Sequence, residues 1–594
     1  MKQFFKMFFA SLLAMVVMGI IVFGVFIGII VAAVSKSVKS DKDVSIASNS
    51  VLVIDTDKKL HEQTEKNSIA FFADGDAFQP GVYDALNAIK DAADDDNIKG
   101  ILIKVSANAN GWATAQQLRQ SIINFRKSGK FVYAYGEGMT QGAYYLATAA
   151  DSIYLNPAGD MELKGFATTL AFFKGTLDKL EVEPEIFYAG KFKSATEPFR
   201  TDKMSDANRI QVTEFQKDFW SEFVTAVSGF TKTSPEAVNM LAQNGTIEFP
   251  QDALNNKLVS NLLYWDEVES RIKAKTGGKE KEKIKYVPLG EYAESVKDGA
   301  ATGDSRIAVL FAEGTIKDGT SDDEHEIASQ DIIEEIRKIR NNDKIKAVVM
   351  RVNSPGGSAL ASEVILRELQ LLKAKKPLVV SMGDLAASGG YYISCQADSI
   401  FAMPNTITGS IGVFGMMFNT GNLMKNKLGV TFDGVKNAPY ADFPSGVRAL
   451  TADESARMQR SVDNIYTIFK SRVAKGRKMD VALVDSFAQG RVWSGTDALD
   501  IHLVDALGNL DRAIGSAASL AKLKDYKVVT YPAAVDKFET LMKKLGGKDA
   551  SAEVVKTALK SEMGEEYGWF KQLKELRNMN GKAMMLLPFQ MATK

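Results

Sequence analysis

The chain has 594 residues, of which 45% are hydrophobic and 25% are charged, a composition typical of globular proteins. At roughly 100 to 200 residues per domain, this length predicts at least two hydrophobic cores. Lysine plus arginine and aspartate plus glutamate each total 73, so the formal charge is zero. Because there is also no long basic run, nucleic acid is not expected as a partner.

The first element is an uncharged apolar stretch at residues 7–34. It exceeds the roughly 20 residues that a helix needs to cross a bilayer, so it predicts a transmembrane helix. The alternative, a cleaved signal peptide, has an apolar stretch of only about 7 to 15 residues. We therefore expect residues 1–48 to form an uncleaved anchor and stalk. Lysines flank both ends almost equally, so charge alone does not predict the orientation.

The region that follows is repeated within the chain. Two long segments recur at a shift of 247 residues, and a third pair recurs at nearly the same shift. Such ordered self-similarity indicates an internal duplication. The paired segments are 97–105 with 344–352, 143–157 with 390–404, and 252–259 with 497–504.

Each repeat alternates between strand-like and helix-like patterns, which predicts an α/β fold with parallel strands joined by helical crossovers. In the second repeat the predicted strands are 307–311, 347–352 and 377–382, and the predicted helices are 329–340 and 361–373. Polar, glycine-bearing segments separate the repeats. The predicted division is a first half at 49–275, a linker at 276–304, a second half at 305–537 and a C-terminal tail at 538–594. The tail contains an apolar patch at 584–589 that could pack on a neighbour or a lipid surface.

A candidate nucleophile follows the predicted strand 377–382. The sequence GDLAASGGYYIS places Ser388 between small residues where a helix is expected to begin. Unpaired N–H groups and the partial positive charge of a helix N-terminus suit an oxyanion beside a serine. A glycine-rich turn after a strand is also common without any catalytic role.

A second glycine-rich loop, RVNSPGGSA at 351–359, follows the preceding predicted strand. The alternative interpretation of this loop is a tight turn without a catalytic role. A serine protease needs two backbone donors for the tetrahedral oxyanion, and Gly357 with Gly389 could provide them, with Gly356 keeping the backbone free of side chains. Two such loops at neighbouring strand ends favour a catalytic site.

Histidine and cysteine are scarce. The three histidines, His61, His325 and His502, show no ligand pattern, so we predict structural or solvated roles and neither a metal nor a cofactor. A Ser-His-Asp triad would also have few residues to draw on. The single cysteine, Cys395, is predicted to be a buried packing residue.

Four motifs resemble those of the signal peptide peptidase A family, also called protease IV. They are RVNSPGGS, MGDLAASGGYYIS, TGSIGVFG and, in the first half, KFKSATEPF. The resemblance covers nearly the whole chain, including the anchor and the duplication of the family's long form. It implies two tandem Clp protease/crotonase-like domains and a serine protease in which Ser388 is the nucleophile, Lys193 is the base and Ser410 orients the lysine.

The same resemblance implies a location and a substrate class. It places the chain in the bacterial inner membrane as a single-pass protein, with periplasmic catalytic domains arranged as a bowl-like homotetramer. The implied substrates are cleaved signal peptides and other apolar unfolded segments, and a broader role in degrading damaged envelope proteins stays open.

The duplication supports one composite site. A shift of 247 residues places Gln141 opposite Ser388 and Tyr440 opposite Lys193, while residues 108–110 stand where the Pro-Gly-Gly loop would be. The first half therefore lacks a nucleophile and the second half lacks a lysine base. We expect a site where the two halves meet.

The proposed base constrains its environment. Lysine can take the serine proton only when neutral, and its reference pKa is about 10.4, so burial must lower that pKa. Two other function classes remain: an acyl-CoA enzyme of the crotonase fold, which uses paired backbone donors without a serine nucleophile, and a non-catalytic membrane scaffold. The anchor and Lys193 argue against the first of these. Retention of the serine, lysine and glycines together argues against the second.

Overall fold

A computed structural model describes residues 46–66, 78–277, 282–296, 304–321, 323, 325–534 and 582–586, with short pieces between residues 6 and 19. The predicted anchor at 7–34 lies almost entirely outside the described residues. Within the part of the chain that is described, no helix is both long and apolar enough to cross a bilayer.

The first half contains nine strands and ten helices in its described residues. The strands are β1 (Ser50–Asp55), β2 (Glu65–Lys66), β3 (Phe78–Gln79), β4 (Ile98–Lys104), β5 (Phe131–Met139), β6 (Ser152–Met161), β7 (Glu183–Ala189), β8 (Asn261–Leu262) and β9 (Lys285–Pro288). The helices are α1 (Val82–Asp94), α2 (Trp112–Arg126), α3 (Gln141–Ala147), α4 (Lys174–Leu180), α5 (Glu197–Arg200), α6 (Asp206–Thr231), α7 (Pro235–Gln243), α8 (Pro250–Asn255), α9 (Trp265–Thr276) and α10 (Leu289–Ser295).

The second half and the tail supply the remaining elements. The strands are β10 (Arg306–Glu313), β11 (Thr315–Lys317), β12 (Glu326–Ala328), β13 (Ile345–Ser354), β14 (Gly356–Ser358), β15 (Leu378–Ala387), β16 (Ser399–Ala402), β17 (Ile407–Gly409), β18 (Val413–Asn419), β19 (Val492–Ser494), β20 (Ala506–Leu507), β21 (Lys527–Tyr531) and β22 (Lys582–Leu586). The helices are α11 (Ser329–Asn341), α12 (Ala359–Lys373), α13 (Gly389–Ser394), α14 (Ala452–Arg477), α15 (Val481–Phe487), α16 (Gly495–Asp500) and α17 (Leu510–Leu520).

Each half is built on its own sheet, as the alternating pattern predicts. The first sheet has the order β8-β6-β5-β4-β1-β9 and is parallel throughout. The second has the order β19-β17-β15-β13-β10-β21, with only β19 antiparallel to its neighbour. Buried aliphatic runs fill these strands, since crossover helices cover the sheets. The prediction of tandem α/β domains is confirmed.

The duplication is visible in the helix bounds. Helix α1 shifted by 247 residues coincides with α11, and α2 shifted by the same amount coincides with α12. Strand β4 likewise begins 247 residues before β13. The repeated sequence segments therefore fold into repeated elements.

The interval predicted as a linker, 276–304, contains regular structure. Strand β9 pairs in parallel with β1, and α10 follows it directly. Tyr292 of α10 is 1% exposed and Leu289 is 9% exposed, so both pack against the first core. The polar ends of this interval led to the prediction of a linker, although a short apolar segment lies between them.

A third sheet combines both halves and the tail, which the parallel α/β pattern does not predict. Its order is β12-β11-β14-β22-β18-β7. Strand β7 belongs to the first half by sequence but pairs antiparallel with β18 along its whole length. Strand β22, from the apolar patch of the tail, lies between β14 and β18 and is antiparallel to both.

A buried ion pair also joins the halves. Arg351 of β13 is fully buried, and its Nε lies 2.7 Å from Glu62 Oε2, whose residue is 1% exposed. Asn353 donates to the same carboxylate at 3.0 Å. Nearby, Thr114 of α2 donates through both its N–H and its hydroxyl to Asp384 of the second half. The contact between the halves therefore includes buried, hydrogen-bonded polar groups.

Candidate active site

Ser388 lies at the junction of β15 and α13, as the sequence predicts. Its backbone has φ 55° and ψ −113°, a conformation that few non-glycine residues adopt. The Ser388 N–H donates to Gly409 O at 2.8 Å, and α13 begins at once behind it. This strained strand-to-helix turn holds the serine side chain at the carboxyl end of the second sheet.

Lys193 reaches this serine from the other half. Strand β7 carries the first-half chain into the third sheet, and the turn after it docks on the second half, where Phe192 N–H donates to Gln489 O at 2.8 Å. Lys193 Nζ then lies 2.8 Å from Ser388 Oγ. The lysine is 1% exposed and the serine 0% exposed. The two residues, 195 positions apart, thus form a buried contact between the halves.

Ser410 completes the environment of the amine. Its Oγ lies 3.0 Å and its carbonyl oxygen 3.2 Å from Lys193 Nζ. A neutral amine has two N–H donors and one lone pair, so two donations to Ser410 leave the lone pair free for the Ser388 hydroxyl. Burial lowers the pKa of Lys193 well below its ordinary value. The site therefore favours the neutral, proton-accepting form of the lysine.

Two backbone N–H groups lie close together beside the serine. A Cβ built on Gly389 would lie 3.1 Å from Gly357 N, so the two candidate oxyanion donors border the same space. Gly356 has φ 98°, which favours glycine, and a Cβ on it would lie 2.6 Å from Gly389 N. A side chain at Gly356 would therefore intrude on the candidate oxyanion hole.

No pattern in the sequence predicts the hydrogen-bond network that supports the turn carrying Lys193. Gln211 of α6 donates to Phe192 O at 3.2 Å and accepts from Val492 N–H, so it ties the lysine turn to the second half. Asn208 donates to the buried Glu197 carboxylate at 2.9 Å. A long amphipathic helix carries both amides, and its pattern alone does not distinguish them from other polar positions.

The repeat-equivalent positions have other roles. The Gln141 side chain accepts hydrogen bonds from Lys164 N–H and Gly165 N–H, each at 3.0 Å, and so fixes a loop of the first half. Tyr440 is 39% exposed, and its hydroxyl donates to Asp453 at the start of α14. Lys193, Ser388, Ser410, Gly356, Gly357 and Gly389 thus meet at one place, while their counterparts form no second site among the described residues.

Two of the three histidines meet, which the sequence does not predict. His61 and His325 stack with ring centroids 3.9 Å apart and planes 18° apart. Glu313 lies 3.0 Å from His61 Nδ1, and Glu65 lies 3.1 Å from His325 Nε2. Although the ligand atoms of His61, Glu65 and His325 are close together, nearly parallel rings do not direct their lone pairs to one point. This arrangement is that of a stacked, carboxylate-flanked pair.

Cys395 is fully buried in the second core, and its thiol donates to Tyr392 O. Burial raises the pKa of this thiol to about 12, so it remains protonated at physiological pH. The prediction of a packing role is confirmed.

A buried serine beside a lysine amine and paired backbone donors, on tandem Clp-like domains, defines the class as serine protease. The model for Peptidase family S49 matches residues 124–278 and 370–524, and the model for Clp protease matches residues 301–408. The chain therefore belongs to Peptidase family S49 and is a serine protease.

Curated relatives cover most of the chain. It is similar to Protease 4 of Salmonella typhi, with 39% identity across 84% of this chain and 81% of that protein. Protease 4 of Haemophilus influenzae is 35% identical across 85% of this chain and 84% of that protein. The chloroplastic serine protease SPPA of Arabidopsis thaliana is 33% identical across 74% of this chain and 65% of that protein.

Proposed function

We propose that the chain is a membrane-anchored endopeptidase in which Ser388 is the nucleophile and Lys193 is the general base. The observation that carries this proposal is the buried 2.8 Å contact between Lys193 Nζ and Ser388 Oγ. His61 and His325 take no part in it, because they are occupied with each other and with carboxylates.

The reaction proceeds through an acyl-enzyme. Ser388 Oγ attacks the peptide carbonyl carbon as neutral Lys193 accepts its proton, and the oxyanion accepts hydrogen bonds from the Gly357 and Gly389 N–H groups. The lysine ammonium then donates its proton to the leaving amine. A water molecule, deprotonated by the same lysine, hydrolyses the ester and restores Ser388.

The substrates in this proposal are cleaved signal peptides and other apolar unfolded segments. Apolar residues close in sequence to the site support this, since Phe414 and Met416 of β18, a strand that begins three residues after Ser410, form a buried apolar cluster with Ile186 and Phe199 of the first half. An extended apolar peptide fits such a surface, because sheet edges bind main chains and flanking pockets bind alternate side chains.

From the family resemblance we extend the proposal to location and assembly. The apolar stretch at 7–34 anchors the chain in the bacterial inner membrane as a single span, with its catalytic domains periplasmic. The protein assembles as a homotetramer, whose partners besides peptides are membrane lipids. These points rest on sequence and resemblance alone.

A phosphonylating probe tests the assignment. A fluorophosphonate carrying a reporter is expected to label the wild type at Ser388 and to leave Ser388→Ala unlabelled. Ser394→Ala is the matched control, since Ser394 is another buried serine of α13 whose hydroxyl donates only to Gly390 O. Labelling of Ser388→Ala at wild-type level would place the nucleophile elsewhere.

A further inference from the structure

A tight turn of the second half, at residues 488–491, lies against the chain segment that carries Lys193. The Arg491 N–H donates to Ala488 O at 2.8 Å, and the two central residues, Gln489 and Gly490, have φ 49° and 74°. Positive φ at both central positions is the pattern of a type I′ turn. Glycine adopts this backbone conformation without the steric cost that a Cβ brings.

Gly490 has no room for a side chain. A Cβ built on it would lie 2.8 Å from both the Cβ and the backbone nitrogen of Lys193, and 3.0 Å from its Cα. Ordinary contacts between non-bonded carbon atoms are about 3.5 to 4.0 Å long. These lysine atoms belong to the main chain and the first side-chain carbon, so a change of rotamer does not move them aside. The bare Cα of Gly490 thus sets how closely the lysine segment approaches the second half.

Two more glycines line this contact. A Cβ on Gly190 would lie 2.5 Å from the Gln489 carbonyl carbon, and a Cβ on Gly412 would lie 2.7 Å from Gly490 Cα. Gly190 has φ 104°, and its carbonyl oxygen accepts the Lys193 N–H at 3.0 Å. Three chain segments, 189–193, 409–412 and 488–491, therefore meet backbone to backbone.

The same turn also holds Ser410, whose hydroxyl and carbonyl oxygens both contact the lysine amine. The Arg491 carbonyl oxygen accepts the Ser410 N–H at 2.7 Å. Strand β19, which follows the turn, pairs with Gly409 at the end of β17, and the Gly409 carbonyl oxygen accepts the Ser388 N–H at 2.8 Å. One turn therefore holds the main chain at the lysine and at both serines that its amine contacts.

We propose that Gly490 is a positioning residue for the reaction of Ser388, because its missing side chain lets Lys193 Nζ come within 2.8 Å of Ser388 Oγ. This inference rests on the proposed function, in which neutral Lys193 takes the Ser388 proton. A Cβ at residue 490 would widen the contact with the lysine segment by at least about 0.7 Å. A misplacement of about 1 Å at a catalytic group costs roughly 100-fold in rate.

Hydrolysis of an apolar peptide by full-length Gly490→Ala tests the proposal. We expect kcat to fall about 10- to 100-fold with KM within about twofold of wild type, because the lysine is displaced and the peptide-binding surface is not. Gly129→Ala is the matched control, since Gly129 has φ 82° and a Cβ on it would meet no atom of the described residues within 4 Å. It introduces similar backbone strain away from Lys193 and is expected to keep wild-type kcat. A Gly490→Ala enzyme with wild-type kcat would overturn the proposal.

Phosphonylation separates positioning from loss of folded enzyme. A fluorophosphonate labels Ser388 at a rate that depends on its proton acceptor, while the final extent of labelling counts the folded sites. For Gly490→Ala we expect a rate constant about 10-fold or more below that of wild type and an unchanged final extent. A lower extent with an unchanged rate constant would overturn the proposal, because the glycine would then only support the fold.

Gly490→Asn separates the added Cβ from the backbone strain. Asparagine adopts positive φ more readily than alanine does but carries the same Cβ. We therefore expect Gly490→Asn to lose activity as Gly490→Ala does, while unfolding at a higher temperature. Wild-type activity in Gly490→Asn would contradict the proposal, and so would failure of both variants to fold while Gly129→Ala folds.

Lys193→Met, assayed in the same panel, distinguishes failure of this inference from failure of the proposed function. Inactive Lys193→Met beside fully active Gly490→Ala would overturn the inference alone. Wild-type activity in Lys193→Met would overturn the proposed function and the inference with it. Loss of activity in Lys193→Met and in both Gly490 variants, with Gly129→Ala unaffected, supports both.

Discussion

Replacing Ser410 with alanine removes one of the two hydrogen-bond acceptors that orient the Lys193 amine. The Ser410 Oγ contact at 3.0 Å is fully buried, so no water replaces it, and one N–H of the amine loses its partner. An unsatisfied buried donor costs about 1 to 3 kcal/mol, which corresponds to roughly 5- to 150-fold in rate. We expect kcat for apolar peptide hydrolysis to fall by this factor with little change in KM.

The pH profile distinguishes positioning from general damage. The Ser410 hydroxyl stabilises the lysine ammonium more than the neutral amine, so its removal lowers the pKa of Lys193 further. The rising limb of the kcat profile is therefore expected to shift to lower pH. Ser410→Gly is the matched control, since it removes the same hydroxyl and relieves the positive φ of 49°. Activity within twofold of wild type in both variants would refute this role.

Two further predictions concern stability. In the window between the lowered pKa of Lys193 and about 10.4, only the unfolded chain binds the lysine proton, so wild-type stability rises with pH by up to about 1.4 kcal/mol per unit. Lys193→Met has no proton to lose on folding, so its thermal midpoint should exceed that of wild type at neutral pH. The difference between the two midpoints should narrow towards pH 10. A difference that does not change with pH would contradict burial of the amine. Glu62→Leu leaves Arg351 buried and unpaired and should cost about 3 to 5 kcal/mol in chemical unfolding, most of it recovered in Glu62→Leu/Arg351→Met. A Glu62→Leu chain as stable as wild type would refute this view of the contact between the halves.

The local patterns in the sequence predict much of the fold. Helical periodicity identifies α11 and α12 within two residues at each end, and apolar runs identify β10, β13 and β15. Strand β15 extends five residues beyond the predicted 377–382, up to Ala387, because its last residues pair with β17. These features depend on neighbouring residues and are therefore present in short sequence windows.

The third sheet has no such local signature. Pairing of β7 with β18, and insertion of β22 between β14 and β18, join segments separated by more than 160 residues. The position of Lys193 follows from that pairing, so the residues alone did not identify it, and only family resemblance did. Ser388 and the glycine loops could be predicted from the sequence, because strand-to-helix turns contain a recognisable pattern of small residues.

The Ser388–Lys193 pair is tested most directly by peptide hydrolysis with Ser388→Ala, Lys193→Met and the double variant, each checked for folding by circular dichroism. If the two residues act as a unit, each single variant falls to the same residual rate and the double variant falls no further. If Lys193→Met retains wild-type activity, or if the double variant loses the product of the two single losses, Lys193 is not the base for Ser388.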